Sequence, residues 1–403
     1  MIAATHHATA FAANTTRQRK RSDVQARFDY ALLTAVLILL GLGLIMVASA
    51  SISIADRQLG QPFYYLLRQA LYVLLGLGLA AVVTRIPLDL WERVSALLLI
   101  CGLLLLGFIL LPGVAREING SIRWLSLGVF NLQPSEFMKL FVIVYLAGYL
   151  VRRGDEVRTT VWGFLKPMLV LVLAALLLLM EPDMGAAAVI FATALGMMFL
   201  GGVRIWHFGV LLLLMAGAVA TLTVTSPYRM ERVTAFLNPW ADPFNSGFQL
   251  TQSLIAFGRG EWFGVGLGGS VQKLFYLPEA HTDFVFAVLA EELGMFGALA
   301  VVLLFAFIAV RAFRIANQAR QLGLHFAAYS AYGISLWLSM QAFINIGVNT
   351  GVLPTKGLTL PLMSYGGSSM LAACVAVGLL LRVDIETREA WLRSVDVKRG
   401  GGR

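Results

Sequence analysis

Residues 30–50 read YALLTAVLILLGLGLIMVASA, a stretch with no charged side chain. A helix of about 20 apolar residues is long enough to cross the hydrocarbon core of a bilayer. Similar stretches lie at residues 64–84, 95–113, 161–180, 206–225, 286–310, 326–348 and 362–382, with two shorter or more polar ones at 134–151 and 185–202. The pattern predicts an all-α polytopic membrane protein with ten transmembrane helices.

The composition of the whole chain agrees with this prediction. Of its 403 residues, 59% are hydrophobic and 13% are charged, and the mean hydropathy is +0.79. Soluble domains are about 45–50% apolar and about 25% charged. The composition therefore excludes a soluble enzyme, a disordered protein and a fibrous protein. Cys101 and Cys374 both lie in apolar runs, which is typical of buried thiols and not of a disulfide framework.

The positive charge is distributed unevenly along the chain. Its net value is +9, and 20 of the 31 Lys and Arg residues fall in the tails and in alternate loops. Cytoplasmic loops carry such an excess, so the charge predicts that both termini are cytoplasmic and does not indicate a nucleic-acid partner. We divide the chain into a basic cytoplasmic tail (1–29), a membrane domain (30–385) and a cytoplasmic C-terminal tail (386–403).

One connection is much longer than the others. Residues 226–283 form a large extracytoplasmic loop between predicted helices 7 and 8, and long loops in compact proteins are usually functional. Within it, Leu250, Leu254 and Phe257 have the spacing of an amphipathic helix, which we expect to lie on the membrane surface.

The end of this loop carries the clearest candidate for chemistry. The sequence Pro-Glu-Ala-His-Thr-Asp occupies 278–283, directly before an apolar helix. Partial burial of Asp283 would raise its pKa into the range of a general base. Alternatively, Thr282 or Asp283 simply caps the helix, and these residues alone do not decide between cap and catalyst.

Two further carboxylate motifs are predicted near the outer membrane boundary. Glu136 and Lys139 are three residues apart, which places them on one face of a helix within pairing distance. They form either a structural buried ion pair or part of a site. Glu181 and Asp183 form either a second acidic site or the start of a helix.

The last outer loop and some neighbouring signals are more ambiguous. Residues 364–369 include small hydroxyl and glycine residues, which permit either close helix packing or backbone contacts to a phosphate. Glu291 and Glu292 either line a cavity or pair with neighbours. Gly264, Gly266 and Gly269 fit G-x-G-x-x-G, but no βαβ unit surrounds them, so we reject a nucleotide site.

Several motifs, in the same order, resemble the SEDS family, which includes FtsW, RodA and SpoVE. The resemblance covers about residues 30–385 and is carried by residues 119–124, 133–139, 181–185, 240–252, 264–294 and 345–369. The outer loop around Lys356 and the basic N-terminal tail resemble the cell-division branch more than the elongation branch.

The resemblance implies a peptidoglycan glycosyltransferase that polymerises lipid II, with Asp283 as the catalytic residue. Positive side chains, with or without a divalent cation such as Mg²⁺, would offset the charge of the leaving diphosphate. The candidate substrate-binding residues are Glu136, Lys139, Asp183, Arg232, Lys273, Glu279, His281, Lys356, Ser364 and Ser368. Glu181 departs from the family pattern, because many relatives carry Gln there.

Two other functions fit the same sequence. A lipid II flippase would also need many helices and buried charges, although it requires polar groups along a whole path. A non-catalytic scaffold would instead recruit a class B penicillin-binding protein and other membrane proteins of the division machinery. The resemblance also implies a multi-pass protein of the bacterial inner membrane at the division septum.

Overall fold

The computed structural model describes residues 28–118, 121–126, 131–204, 206–209, 213, 217, 221, 224, 230, 236–355 and 357–400. Helices dominate this part of the chain. They are α1 (Tyr30–Leu59), α2 (Tyr64–Val83), α3 (Leu88–Ile109), α4 (Pro134–Thr159), α5 (Val161–Met180), α6 (Met184–Leu200), α7 (Phe248–Gly260), α8 (Val285–Gln321), α9 (His325–Asn349) and α10 (Gly367–Gly400).

The helices have the lengths and compositions of a polytopic membrane protein. Eight of the described helices are long and apolar enough to cross a bilayer, and α6 is a shorter apolar helix. The predicted span 206–225 lies mostly outside the described residues, as does most of the tail 1–29. A mostly helical membrane fold is therefore confirmed, while the number of ten spans stays a prediction.

Burial separates central helices from peripheral ones. α4, α9 and α10 are the most enclosed of the candidate spans, and α2 and α3 are among the least. Peripheral leucines such as Leu67, Leu74 and Leu104 are more than 60% exposed, which suits a surface in contact with lipid tails. Small residues bring helices close together: a Cβ at Gly378 of α10 would lie 2.7 Å from the backbone of Ala80 in α2.

The expectation of a purely α-helical chain is wrong between α3 and α4. Strands β1 (Arg116–Ile118), β2 (Ser121–Ser126) and β3 (Asn131–Leu132) form a small antiparallel sheet in the order β1-β2-β3. Leu125 of β2 pairs with Leu132 of β3. The segment is too short and too polar to form another span, and pairing its strands satisfies backbone groups near the membrane.

The last span begins and ends later than predicted. The sequence pattern gave 362–382, whereas α10 starts at Gly367 and continues to Gly400, through the start of the predicted tail at 386. Leu362 has a φ of 64°, which a right-handed helix does not permit. The Ser364 hydroxyl also accepts a hydrogen bond from the Leu360 amide (2.8 Å) and stabilises the loop that precedes the helix.

α8 is interrupted at Gly294, whose backbone has φ 67° and ψ −168°. The glycine-rich stretch of the long loop packs into this break. The amides of Val265 and Gly266 donate to the carbonyl oxygens of Glu291 (3.0 Å) and Glu292 (3.1 Å), and the Met295 amide donates to that of Glu261 (2.9 Å). Gly264, with φ 79°, and Gly294 leave no room for a Cβ. These glycines thus permit the close backbone contacts between the loop and α8.

The predicted amphipathic helix in the long loop is present as α7. Leu250 and Ala256 are buried, and the Phe257 ring packs against Phe286 of α8, with 5.9 Å between centroids. Its apolar face therefore packs on protein, and its position at the membrane surface stays a prediction. A Cβ at Gly260 would collide with the carbonyl oxygen of Ala290, so α7 and α8 touch through backbone.

Candidate functional site

A cavity of about 630 Å³ opens where the small sheet, the end of the long loop and the loop before α10 meet. It is therefore at the end of the bundle that the charge pattern predicts to be extracytoplasmic. Predicted site residues that line it are Glu136, Asp183, Glu279, His281, Asp283 and Ser368. Residues from six separate parts of the chain thus surround one space, namely 65–72, 123–136, 183, 249, 279–284 and 355–369.

The backbone of Asp283 is fixed by two asparagines of α9. Asn345 and Asn349 donate from their Nδ2 atoms to the Asp283 carbonyl oxygen, at 2.9 and 3.0 Å. The N-cap of α8 is Phe284, whose own side chain makes no capping hydrogen bond, and the Ala287 amide in the first turn donates to Asn349 Oδ1 at 3.1 Å. The Asp283 carboxyl therefore does not act as a helix cap, and it lines the cavity together with Glu279.

The environment of Asp283 makes its carboxyl a weaker acid than usual. Burial, together with the negative charge of Glu279, raises the pKa of Asp283 to about 7, while Arg123 opposes the rise. A carboxyl with this pKa exchanges a proton near neutral pH, which a general base requires. The neighbouring His281 is buried, and burial lowers its pKa, so its imidazole is neutral at pH 7.

Asp183 connects the wall of the cavity to the start of α6. One carboxylate oxygen accepts from the Ala186 amide (3.1 Å), so Asp183 is the N-cap of that helix. The other accepts from Gln133 Nε2 (3.1 Å) and from the Ser135 hydroxyl (2.9 Å). The structure thus confirms the helix-start interpretation for Asp183, and it also places the residue in the cavity wall.

Glu136 and Lys139 form the ion pair that their spacing predicts. Lys139 Nζ lies 2.8 Å from Glu136 Oε2 and donates to Gln341 Oε1 at 2.7 Å. The ammonium is also 5.3 Å from the centre of the Trp337 ring. Glu136 lines the cavity, but Lys139 is 2% exposed and lies beneath it. Lys139 therefore supports the floor of the cavity and does not face it.

Four other predicted residues are placed away from the cavity or outside the described residues. Lys273 is buried against Glu292 (2.7 Å) and the Ser49 hydroxyl (2.8 Å). Glu291 likewise accepts from the Val271 amide (3.1 Å), so both glutamates pair with neighbours. Ser364 stabilises its own loop, as described above. Arg232 and Lys356 lie outside the described residues.

Several cavity residues were not predicted from the sequence. Arg123 lies on β2, and its guanidinium donates to the carbonyl oxygens of Glu181 (3.2 Å) and Pro182. Arg68 of α2 also lines the cavity. Arg123 falls within 119–124, a segment that carries the family resemblance, although it was not selected as a site residue. Arg68 lies near the start of α2, where a single sequence gives no pattern that distinguishes it from an ordinary surface charge.

One wall of the cavity is aromatic. The ring of Tyr65 lies 4.6 Å from that of His281 and 5.1 Å from that of Tyr365. The amide of Tyr365 donates to the His281 carbonyl oxygen at 3.0 Å. Tyr72 completes this wall. The cavity is therefore lined by aromatic rings as well as by polar side chains, a combination that suits a ligand with both characters.

Within the described residues, no group of three or more His, Cys, Asp or Glu side chains could hold a metal ion. Mg²⁺ is usually held by one or two carboxylates together with substrate phosphates, so a divalent cation stays a prediction, and the steps below are assigned to side chains.

Glu181 is fully buried beside the cavity, and neither carboxylate oxygen has a hydrogen-bond partner among the described residues. Burial and the charge of Asp183 raise the pKa of Glu181 to about 8. The folded protein therefore holds this proton at pH values at which the unfolded chain, with a pKa near 4.5, has lost it. Stability is lost as the pH rises from about 4.5 to about 8.

We expect Glu181→Gln to remove this pH dependence, because the amide is neutral at every pH. The variant and the native protein should melt at the same temperature near pH 4.5, and the variant should melt at a higher temperature as the pH approaches 8. Thermal melting across this range measures the difference. Parallel curves at all pH values would show that Glu181 is ionised in the folded state.

Comparison with known proteins identifies relatives over nearly the whole chain. A family model described as "Cell cycle protein", which covers FtsW, RodA and SpoVE, matches residues 30–389. The chain is similar to the "Probable peptidoglycan glycosyltransferase FtsW" of Thioalkalivibrio sulfidiphilus, with 60% identity over 93% of this chain and 94% of the relative. The protein of the same description from Nitrosococcus halophilus is 61% identical over 89% and 93%.

Solved structures show the same fold. A chain from work described as "Structural coordination of polymerization and crosslinking by a peptidoglycan synthase complex" has a TM-score of 0.74 and 33% identity, covering 89% of this chain and 98% of that one. The rod shape determining protein RodA of Thermus thermophilus has a TM-score of 0.66 and 29% identity, covering 89% and 96%.

Proposed function

The chain belongs to the FtsW, RodA and SpoVE family of peptidoglycan glycosyltransferases, and we propose that it polymerises lipid II with Asp283 as the general base. The observation that carries this proposal is the position of the Asp283 carboxyl, which lines the outer cavity, caps no helix and has a pKa of about 7.

The proposed reaction joins two sugars at this carboxylate. Asp283 removes the proton from a sugar 4-hydroxyl of one substrate while that oxygen attacks C1 of the other. The C1–O bond to diphosphate breaks as the new C1–O bond forms, and the diphosphate leaves from the opposite face, as in inverting sugar transfer. One carboxylate is sufficient, because diphosphate is already a good leaving group.

The diphosphate requires positive charge on the other side of the reacting carbon. Among the described residues that line the cavity, Arg123 and Arg68 carry that charge. Arg123 is the stronger candidate, because the carbonyl oxygens of Glu181 and Pro182, the two residues before Asp183, hold its guanidinium in place. Lys139, which we expected in this role, is engaged by Glu136 and Gln341. Arg232 and Lys356 keep the role as a prediction.

The direct test uses the purified protein with its cognate class B penicillin-binding protein, whose transpeptidase is blocked, and labelled lipid II. Glycan ladders on a gel would support the proposed polymerase. If the complex gives no ladder, with and without divalent cations, the enzyme proposal is wrong. The partner is included because a likeness to one chain of a peptidoglycan synthase complex supports such an assembly.

The pKa of Asp283 predicts the pH dependence of this activity. The base must be ionised, so kcat/KM should be low at pH 5.5, rise through about pH 7 and reach a plateau above about pH 8. Glu279→Gln removes a negative charge that contributes to the raised pKa, and it should move the rising limb to lower pH. A limb that stays in place in Glu279→Gln would contradict the assignment of the titrating group to Asp283.

The flippase alternative is less well supported by the geometry. A transporter needs polar groups along its path, whereas the middle of α4 is packed with buried apolar residues such as Val142, Val144 and Leu146. Translocation of labelled lipid II in vesicles, unaffected by Asp283→Asn, would favour the flippase. A scaffold would bind the penicillin-binding protein and give no ladder.

The septum of the inner membrane is the location we propose, since the curated relatives carry the FtsW name.

A further inference from the structure

A second cavity, of about 440 Å³, lies at the other end of α4. Glu136 lines the outer cavity, and Arg153, 17 residues later, lines this one. That spacing corresponds to about 26 Å along a helix. The second cavity is therefore near the opposite membrane surface, where the charge pattern predicts the cytoplasm. It is separate from the site described above.

The charged residues of this cavity are predominantly basic. Arg152, Arg153, Arg158 and His325 line it together with Asp155 and Glu156. The Glu156 carboxylate is already paired with Arg153 (3.1 Å) and with Lys166 of α5. Arg158 is held in place through a hydrogen bond from its Nε to the Gly201 carbonyl oxygen (3.1 Å). The arginines thus outnumber the acids around a preformed space.

The cavity also offers uncharged hydrogen-bonding groups. Tyr329 lines it and is 8% exposed. His325, the first residue of α9, lines it as well, and α9 begins there without a side-chain cap. The tyrosine hydroxyl and the start of this helix add hydrogen-bond donors to the charge of the arginines.

We propose that this cavity binds the phosphate group of an anionic phospholipid from the adjacent leaflet. Arginine pairs with phosphate through two parallel hydrogen bonds, and basic pockets between transmembrane helices on the cytoplasmic side bind anionic headgroups. Trp162, at the start of α5 and four residues after the cavity-lining Arg158, is 64% exposed. Tryptophan prefers the level of the headgroups, which places the cavity within reach of a lipid phosphate and favours lipid over soluble phosphate.

The test is a titration of the full-length protein in uncharged detergent with phosphatidylglycerol, followed by thermal melting. A ligand that binds the folded state raises the melting temperature in a saturable way. Phosphatidylcholine, which carries no net charge, and inorganic phosphate are titrated in parallel. The variants are Arg152→Gln combined with Arg153→Gln, and Arg314→Gln as a matched control, because Arg314 is exposed on the same face and lies outside the cavity.

We expect phosphatidylglycerol to raise the melting temperature of the native protein and of Arg314→Gln, and phosphatidylcholine to have no such effect. The double variant loses two arginine contacts to the anionic headgroup, so it should bind phosphatidylglycerol about thirtyfold more weakly. An equal response of all three proteins, or no response, would overturn the proposal. An equal rise with inorganic phosphate would assign the cavity to a soluble phosphate and overturn the lipid source.

The melting temperature without lipid shows whether each variant folds. If the double variant is unfolded, Arg153→Gln alone tests the same cavity, since the recorded partner of Arg153 is the surface residue Glu156. In that variant, affinity for phosphatidylglycerol equal to that of the native protein would contradict the site. The result does not depend on the glycosyltransferase activity.

Discussion

Asp283→Asn should fold, insert into the membrane and bind its partner, and it should polymerise lipid II roughly 10²–10⁴ times more slowly than the native protein, the usual loss for a general base. The fold should persist because Asn345 and Asn349 bind the carbonyl oxygen of residue 283, which the substitution leaves unchanged. The side chain also caps no helix. The amide cannot accept the proton of the attacking hydroxyl.

The measurement is the initial rate of lipid II consumption, with glycan ladders as a second readout. Asp56→Asn is the matched control, because Asp56 is an exposed carboxylate near the outer end of α1 and does not line the cavity. The control should retain the native rate. Activity of Asp283→Asn within a few-fold of the control would show that another group accepts the proton.

The sequence predicts features that depend on local spacing. Glu136 and Lys139 pair because residues three apart share a helix face, and the apolar runs became spans because the bilayer fixes their length. The position of Asp283, between a polar loop and an apolar helix, likewise follows from the chain on either side of it. In each case, the information lies within about 20 residues.

The contacts that the sequence does not predict are those between segments that are far apart in the chain. Lys273 was expected to contact substrate, but it is buried against Glu292, which lies 19 residues later in the chain. Arg123 reaches the cavity because β2 folds over the loop before α6. Neither partner lies within a helical turn of the residue that it contacts, so local spacing gives no signal for these contacts.

Glu136 and Lys139 permit a sharp test of whether a buried ion pair serves stability or chemistry. Lys139→Met should destabilise the protein by about 3–5 kcal/mol, because it leaves the Glu136 carboxylate buried without its counter-charge. The Lys139 side chain is 1% exposed, and that of Glu136 is 7% exposed, so water cannot replace the missing ammonium. Thermal melting against the native protein measures the loss.

Lys166→Met is the matched control, since it removes a lysine from the exposed ion pair with Glu156. Surface pairs contribute about 0–1 kcal/mol, so the control should melt close to the native protein. If Lys139→Met melts like Lys166→Met, the pair contributes little to stability.

Adding Glu136→Gln to Lys139→Met removes the uncompensated charge and should restore most of the melting temperature. Polymerase activity should not return with it, because Glu136 also lines the cavity and its carboxylate is lost. Recovery of both properties together would instead assign the pair to structure alone.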